Sequence, residues 1–133
     1  MIVIDASLYV PLILDDEERA YSRRVIDDIK RNRPLVFIPS HFFIEVYNAA
    51  FQAYRRKRIS RELLLAHLQL LHEFPAIVEP VLEPLSCVAW AEKHALTMYD
   101  AAYLSLTASK SAKLATLDKQ LIKAATQEQL YYA

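Results

Sequence analysis

Four short apolar runs, each bounded by turn residues, alternate along this chain with longer segments in which apolar residues recur at helical spacing. The runs predict strands at residues 1–4, 35–38, 77–81 and 113–116, with a last, edge strand at 129–132. The intervening segments predict helices at residues 16–31, 40–56, 60–72 and 84–94, and two more that open at Thr97 and Asp118. Strands that alternate with helices indicate an α/β fold, here a three-layer α/β/α sandwich with a mostly parallel sheet.

Two of the predicted helices follow each other without a strand between them. Ser40 and Ser60 are their predicted N-caps, and the pair is expected to form a helical hairpin that protrudes at one end of the sheet. Leu64 with Leu68, or Leu65 with Leu68, would make a groove for an amphipathic partner helix. The alternative is that these leucines serve core packing between the two helices.

The length of 133 residues, without a linker or repeat, predicts a single domain over residues 1–133. Cys87 is the only cysteine, which excludes an intramolecular disulfide and favours a reducing, cytoplasmic location. The apolar opening MIVIDASLYVPLIL lacks a basic leader, is interrupted by Asp5 and is too short to cross a membrane. We therefore expect no membrane association.

Glycine is absent from the sequence, and the formal net charge is zero. Without glycine there can be no glycine-rich phosphate loop, so P-loop NTPases, nucleotide-dependent kinases and dinucleotide-binding oxidoreductases are disfavoured. A neutral chain also argues against a broad basic surface for nucleic acid, although it permits a local basic patch.

Four acidic residues stand at positions that suggest chemistry. Asp5 ends the first predicted strand and Asp118 follows the fourth, while Glu45 and Asp100 lie in helices that are otherwise apolar. In a parallel sheet the junctions from strand to helix share one edge, and that edge is where open α/β sheets bind ligands. The four acids are therefore expected to converge.

Three of the four acids have a ready structural interpretation, and Glu45 is harder to explain in that way. Asp5 and Asp118 could be helix N-caps, and Asp100 could favour the positive end of its helix. Glu45 lies beside an apolar row, and neither it nor Asp100 has an arginine or lysine one helical turn away. A buried carboxylate without a partner costs several kcal/mol, and an all-oxygen set suits Mg²⁺ or Mn²⁺ rather than Zn²⁺.

Two other classes of protein gather acids at strand ends. Receiver domains need an aspartate that ends a middle strand, and the segment IVEPV supplies none. Phosphatases of the haloacid type need a second aspartate two residues after the first, where this chain has Ser7. Both classes are disfavoured.

Four segments together resemble the PIN-domain family, and in particular the VapC toxins of toxin–antitoxin pairs. MIVIDASLYV matches the first strand and acid of that family, FIEVYNA the helix of the second acid, LTMYDAAYLSLT the third motif and LATLDKQLIKAA the last. The resemblance covers essentially the whole chain. It implies a metal-dependent endoribonuclease acting on single strands, in which Asp5, Glu45, Asp100 and Asp118 hold one or two Mg²⁺ or Mn²⁺ ions.

The resemblance further implies a homodimer and an antitoxin that blocks the site. Ser7 and Thr116 occupy hydroxyl positions from which they would hydrogen-bond the acids. Alternatives within the same fold are a nuclease for RNA processing or DNA, and a non-catalytic interaction module. Retention of all four acids argues against the last.

An RNA substrate also needs cations outside the acidic cluster. The candidates are Arg55, Arg56, Lys57, Arg58, Lys119 and Lys123. The alternative for the first four is a solvated helix end whose charge suits the helix dipole. The four histidines are expected to serve packing or surface roles.

Overall fold

The computed structural model describes residues 1–14, 19–80 and 82–133. Its elements in chain order are β1 (Ile2–Ile4), α1 (Ala6–Ile13), α2 (Arg19–Asn32), β2 (Val36–Pro39), α3 (Phe42–Arg55), α4 (Arg61–Leu71), β3 (Ile77–Glu79), α5 (Pro84–His94), α6 (Met98–Ser109), β4 (Lys113–Ala115) and α7 (Lys119–Gln127). The beginning of the predicted helix at 16–31 and the end of the predicted strand at Val81 lie outside the described residues.

The four strands form one parallel sheet in the order β3-β2-β1-β4. Every residue of β1 and β2 is buried, as expected for parallel strands that helices cover on both faces. Helix α6 packs across β1, β2 and β4. The predicted α/β sandwich with a parallel sheet is confirmed.

The strand order places a switch point between β1 and β4. From β1 the chain moves outward to β2 and β3, and then returns to the other side of β1 to add β4. Crossovers on the two sides run in opposite directions there, which leaves a crevice at the carboxyl ends of β1 and β4. Asp5 directly follows β1, and Thr116 directly follows β4.

Helix α1 is absent from the sequence-based assignment. It begins directly after β1 and is apolar on most sides, so it shows no helical stripe, and Pro11 in its interior argues against a helix. The predicted edge strand at 129–132 is wrong in extent. Leu130 donates its N–H to the Ala125 carbonyl to close α7, which leaves an isolated bridge between Tyr131 and Leu114.

Most of the predicted helix starts are confirmed. Ser60 accepts from the Leu63 N–H, Thr97 from the Asp100 N–H, and Pro84 lies in the first turn of α5. The prediction for Ser40 is wrong, because β2 continues to Pro39 and the following turn makes His41 the residue that precedes α3.

The predicted helical hairpin consists of α3 and α4, joined by residues 56–60. Phe43 stacks on His72 at 4.8 Å between ring centroids, and the Tyr47 hydroxyl hydrogen-bonds to the His72 ring, so side chains clamp the two helices. Leu64 is buried in the core, which makes the predicted groove of Leu64 with Leu68 wrong. Leu65 is exposed, and a groove built on it stays a prediction.

Five of the described residues other than glycine have a left-handed backbone, and each lies at the C-terminal end of a helix. They are Arg33, Lys57, Ala95, Ser111 and Gln129, with φ between 48° and 60°. Glycine is the usual residue at this position. After four of them the next N–H closes the helix, as in the bond from Leu96 to the Ala91 carbonyl.

No helix in the described ranges is both long enough and apolar enough to cross a membrane. Cys87 is a buried, free thiol on α5. The cytoplasmic location stays a prediction.

Candidate active site

Asp5 is 4% exposed and is the N-cap of α1. One of its carboxylate oxygens accepts the Ser7 N–H at 2.6 Å. The other accepts the Ser7 hydroxyl at 2.9 Å and the Thr116 hydroxyl. Three donors therefore fix the orientation of this buried carboxylate.

The same two hydroxyls connect β1 to β4 and α7. Thr116 Oγ1 accepts the Asp118 N–H at 3.0 Å, and Ser7 Oγ accepts the Leu117 N–H at 2.9 Å. Asp118 is the N-cap of α7, with one carboxylate oxygen 2.9 Å from the Leu121 nitrogen. Asp5 and Asp118 are thus helix N-caps, as the structural interpretation predicted. Both also lie at the switch point of the sheet.

Glu45 and Asp100 approach from two helices, α3 and α6. Tyr103 donates its hydroxyl to Glu45 Oε1 at 2.9 Å, and His41 Nε2 lies 3.2 Å from the same oxygen. His41 Nε2 also lies 3.1 Å from the carbonyl oxygen of Tyr99, the residue before Asp100.

The charges of the four acids interact in sequence. The pKa of Asp5 is raised to about 6, mainly by burial and to a smaller extent by the charge of Glu45, although hydrogen bonds from Thr116 and Ser7 act to lower it. The pKa of Glu45 is raised by burial and then by Asp100, and that of Asp100 by burial and then by Asp118. Each carboxylate therefore experiences unfavourable charge from a neighbour.

This donor set fits a hard divalent cation that keeps several waters. All four side chains offer oxygen, their mutual repulsion would be relieved by positive charge, and Mg²⁺ is commonly held by one or two carboxylates plus water. Among the described residues, no three His, Cys, Asp or Glu side chains form a ready-made ligand set.

Sequence reasoning missed His41 and Tyr103 as members of this site. His41 lies four residues before Glu45 and Tyr103 three residues after Asp100, so each shares a helix face with an acid. That spacing was the available signal. The contacts between α3 and α6, however, join residues 58 positions apart and leave no local pattern.

The predicted RNA-binding cations fall into two groups. Arg55, Arg56, Lys57 and Arg58 lie at the far end of α3. Ten residues of helix separate Arg55 from Glu45, which corresponds to about 15 Å along the axis. Lys119 directly follows Asp118, and Lys123 lies one turn further, where it lines a cavity of about 460 Å³ between α5 and α7. The second group is the nearer one to the acids.

Comparison with known proteins identifies the class. Residues 2–127 match the PIN domain family, and the chain belongs to that family. It is 31% identical over 123 residues to the ribonuclease VapC3 of Pyrobaculum aerophilum, covering 90% of this chain and 91% of the relative. It is 28% identical over 123 residues to the ribonuclease VapC3 of Mycobacterium tuberculosis, covering 92% and 86% respectively. The resemblance to VapC proteins is confirmed.

Two solved structures share the fold. One is the PAE2754 protein of Pyrobaculum aerophilum, with a TM-score of 0.72 and 22% identity, covering 92% of this chain and 78% of that one. The other is Mycobacterium tuberculosis VapC20, a sarcin-ricin loop cleaving toxin, with a TM-score of 0.66 and 18% identity, covering 93% and 95%.

Proposed function

We propose that this protein is a VapC-type endoribonuclease that cleaves single-stranded RNA with one or two Mg²⁺ or Mn²⁺ ions, and that it is the toxin of a toxin–antitoxin pair. The observation that carries the proposal is the row of four interacting carboxylates at the switch point of the sheet. Repelling acids at a ligand-binding edge are a cost that a bound cation offsets. The ribonuclease names of the relatives support the same activity.

Each residue of the site has a proposed role in metal binding or in orienting a metal ligand. Asp5, Asp100 and Asp118 would hold the ion or ions directly or through water, and Glu45 would hold a second ion or orient the attacking water. Bound divalent ions screen the anionic phosphate, activate water and stabilise the leaving oxygen. Ser7 and Thr116 keep Asp5 in one orientation.

The test is cleavage of a labelled RNA with Mg²⁺, with Mn²⁺ and with EDTA, comparing wild type with Asp100→Asn. Asp28→Asn is a matched control, because Asp28 lies on α2, accepts a hydrogen bond from Tyr132 and is not one of the four acids. Cleavage should require metal, survive in the control and disappear in Asp100→Asn. Full activity in EDTA would contradict the mechanism. A parallel arm with single-stranded DNA of the same sequence distinguishes the DNA alternative, and inactivity on both substrates indicates an interaction module.

The antitoxin partner has structural support away from the acids. A largely apolar cleft of about 1010 Å³ lies between α1, α2 and α4, at the amino ends of β2 and β3. Its walls include Leu12, Leu35, Leu70 and Ile77, and the last three are exposed. A partner that fills such a cleft with apolar side chains and places an arginine at the acids would both stabilise and inhibit the protein.

Co-expression with the neighbouring open reading frame tests this partner. The neighbour should co-purify through a tag on this chain and lower RNA cleavage. If it does neither, the toxin assignment fails while the nuclease assignment stands. Light scattering on the purified protein tests the proposed homodimer, and limited proteolysis tests the proposed single domain over residues 1–133.

A further inference from the structure

Two polar side chains contact the same carboxylate oxygen of Glu45, one from α6 and one from the turn before α3. Tyr103 donates to Oε1 at 2.9 Å from α6, and His41 Nε2 lies 3.2 Å from the same atom. Tyr103 is fully buried, and its hydroxyl donates to the carboxylate oxygen, which can only accept.

His41 also links the two helices that carry the acids. Its Nε2 lies 3.1 Å from the Tyr99 carbonyl oxygen at the start of α6, and its ring packs edge-on against Tyr103 at 5.0 Å between centroids. Because the Tyr99 carbonyl and an ionised Glu45 are both acceptors, Nε2 carries the hydrogen that faces them. The His41 ring therefore contacts both Glu45 on α3 and the first turn of α6, the helix that carries Asp100.

We propose that His41 and Tyr103 are positioning residues that hold Glu45 by Oε1, so that Oε2 stays available to the ion or water at the acidic site. The inference rests on the proposed function and deepens it. Neither side chain needs to touch RNA. Both act through the orientation of Glu45, as residues behind a metal ligand commonly do.

The variants follow from the atoms involved. Tyr103→Phe removes only the hydroxyl and keeps the buried ring. His41→Ala removes both contacts of Nε2, whereas His41→Gln can return an amide N–H near the same place. Tyr132→Phe is the matched control, because it removes another hydrogen bond from tyrosine to carboxylate, to Asp28 at 3.2 Å, outside the acidic site.

The first readout is Mn²⁺ binding, measured from the electron paramagnetic resonance signal of free Mn²⁺. The kcat and KM for RNA are measured alongside it. Tyr103→Phe and His41→Ala should lower Mn²⁺ affinity or kcat by about 10- to 100-fold with little change in KM. His41→Gln should recover part of the loss, and Tyr132→Phe should match wild type. Wild-type metal affinity and kcat in both Tyr103→Phe and His41→Ala would overturn the proposal.

A second readout separates this inference from the proposed function. In EDTA, urea unfolding of Tyr103→Phe, Glu45→Ala and the double variant forms a cycle that reports the contact itself. The contact is supported if the double variant loses less free energy of unfolding than the two single variants lose in sum. A loss equal to that sum overturns it. If wild type neither binds Mn²⁺ nor cleaves RNA, the proposed function fails, and this cycle still decides whether Glu45 is held as described.

Discussion

The acidic site has two halves that are built in different ways. Asp5 and Asp118 accept backbone N–H groups of the helices that they begin, and Asp5 also accepts the hydroxyls of Ser7 and Thr116. Glu45 is held by two side chains, Tyr103 on α6 and His41 at the turn before α3, and Asp100 receives the hydroxyl of Thr97. The first half therefore rests on two helix N-caps and on the pairing of β1 with β4, whereas in the second half Glu45 depends on how α3 and α6 pack.

The largest expected effect is the loss of cleavage when either half loses a charge. Asp5→Asn and Asp100→Asn should each reduce the rate by more than about 100-fold, because each side chain is a proposed ligand of the ion and a ligand matters at least as much as the groups behind it. Single-turnover cleavage in Mg²⁺ measures this. A rate within tenfold of wild type in one variant would remove that half from the site.

The next effect is a pH dependence of stability without metal, and it should come mainly from the first half. Burial raises the pKa of Asp5 from 3.8 to about 6, so the folded state binds a proton that the unfolded state releases. This contribution is present below pH 3.8 and is lost as pH rises to about 6, a decrease of about 3 kcal/mol in the free energy of unfolding.

Urea unfolding in EDTA at pH 4 and pH 7 measures this decrease, and Asp5→Asn should abolish most of it. Glu45 and Asp100 shift in the same direction, but they are half-exposed and contribute less. The pKa of His41 is lowered from 6.5, mainly by burial. His41 therefore acts opposite to the acids, and its contribution to the free energy of unfolding increases as pH rises toward 6.5. An unchanged decrease in Asp5→Asn would show that Asp5 is not its source.

A smaller effect concerns the hydroxyl that joins Asp5 to Asp118. Thr116→Val removes a donor to Asp5 and the acceptor of the Asp118 N–H, which should cost about 1–2 kcal/mol of stability and about tenfold or more in rate. Thr116→Ser keeps the hydroxyl and serves as the control. Wild-type stability and rate in Thr116→Val would show that the hydroxyl does not matter.

The smallest effect separates the two groups of cations. Lys119→Ala with Lys123→Ala should raise KM several-fold and weaken the salt dependence of RNA binding, because Lys119 directly follows Asp118 and Lys123 lies one turn further along α7. Arg56→Ala, at the far end of α3, should change KM less. The reverse order would place the RNA along the basic end of α3.

The sequence predicted the sheet because buried parallel strands appear as continuous apolar runs, as in VFIP of β2. It also singled out the acids as candidates, because Glu45 and Asp100 are carboxylates within apolar helical segments and Asp5 and Asp118 follow strands; their role stays a proposal. Helix α1 was missed because its apolar residues follow no stripe and Pro11 interrupts the pattern. His41 and Tyr103 were missed because their role depends on contacts across 58 positions, which periodicity does not encode.

The left-handed helix ends bear on the thermodynamics of a chain without glycine. Glycine loses more conformational freedom on folding than any other residue, so an unfolded chain without it samples fewer backbone states and folding costs less entropy. Ala95 and its four counterparts instead accept local strain in the native state. Part of the free-energy cost of folding is therefore local backbone strain at these five helix ends. None of the five residues is among the four acids of the proposed active site.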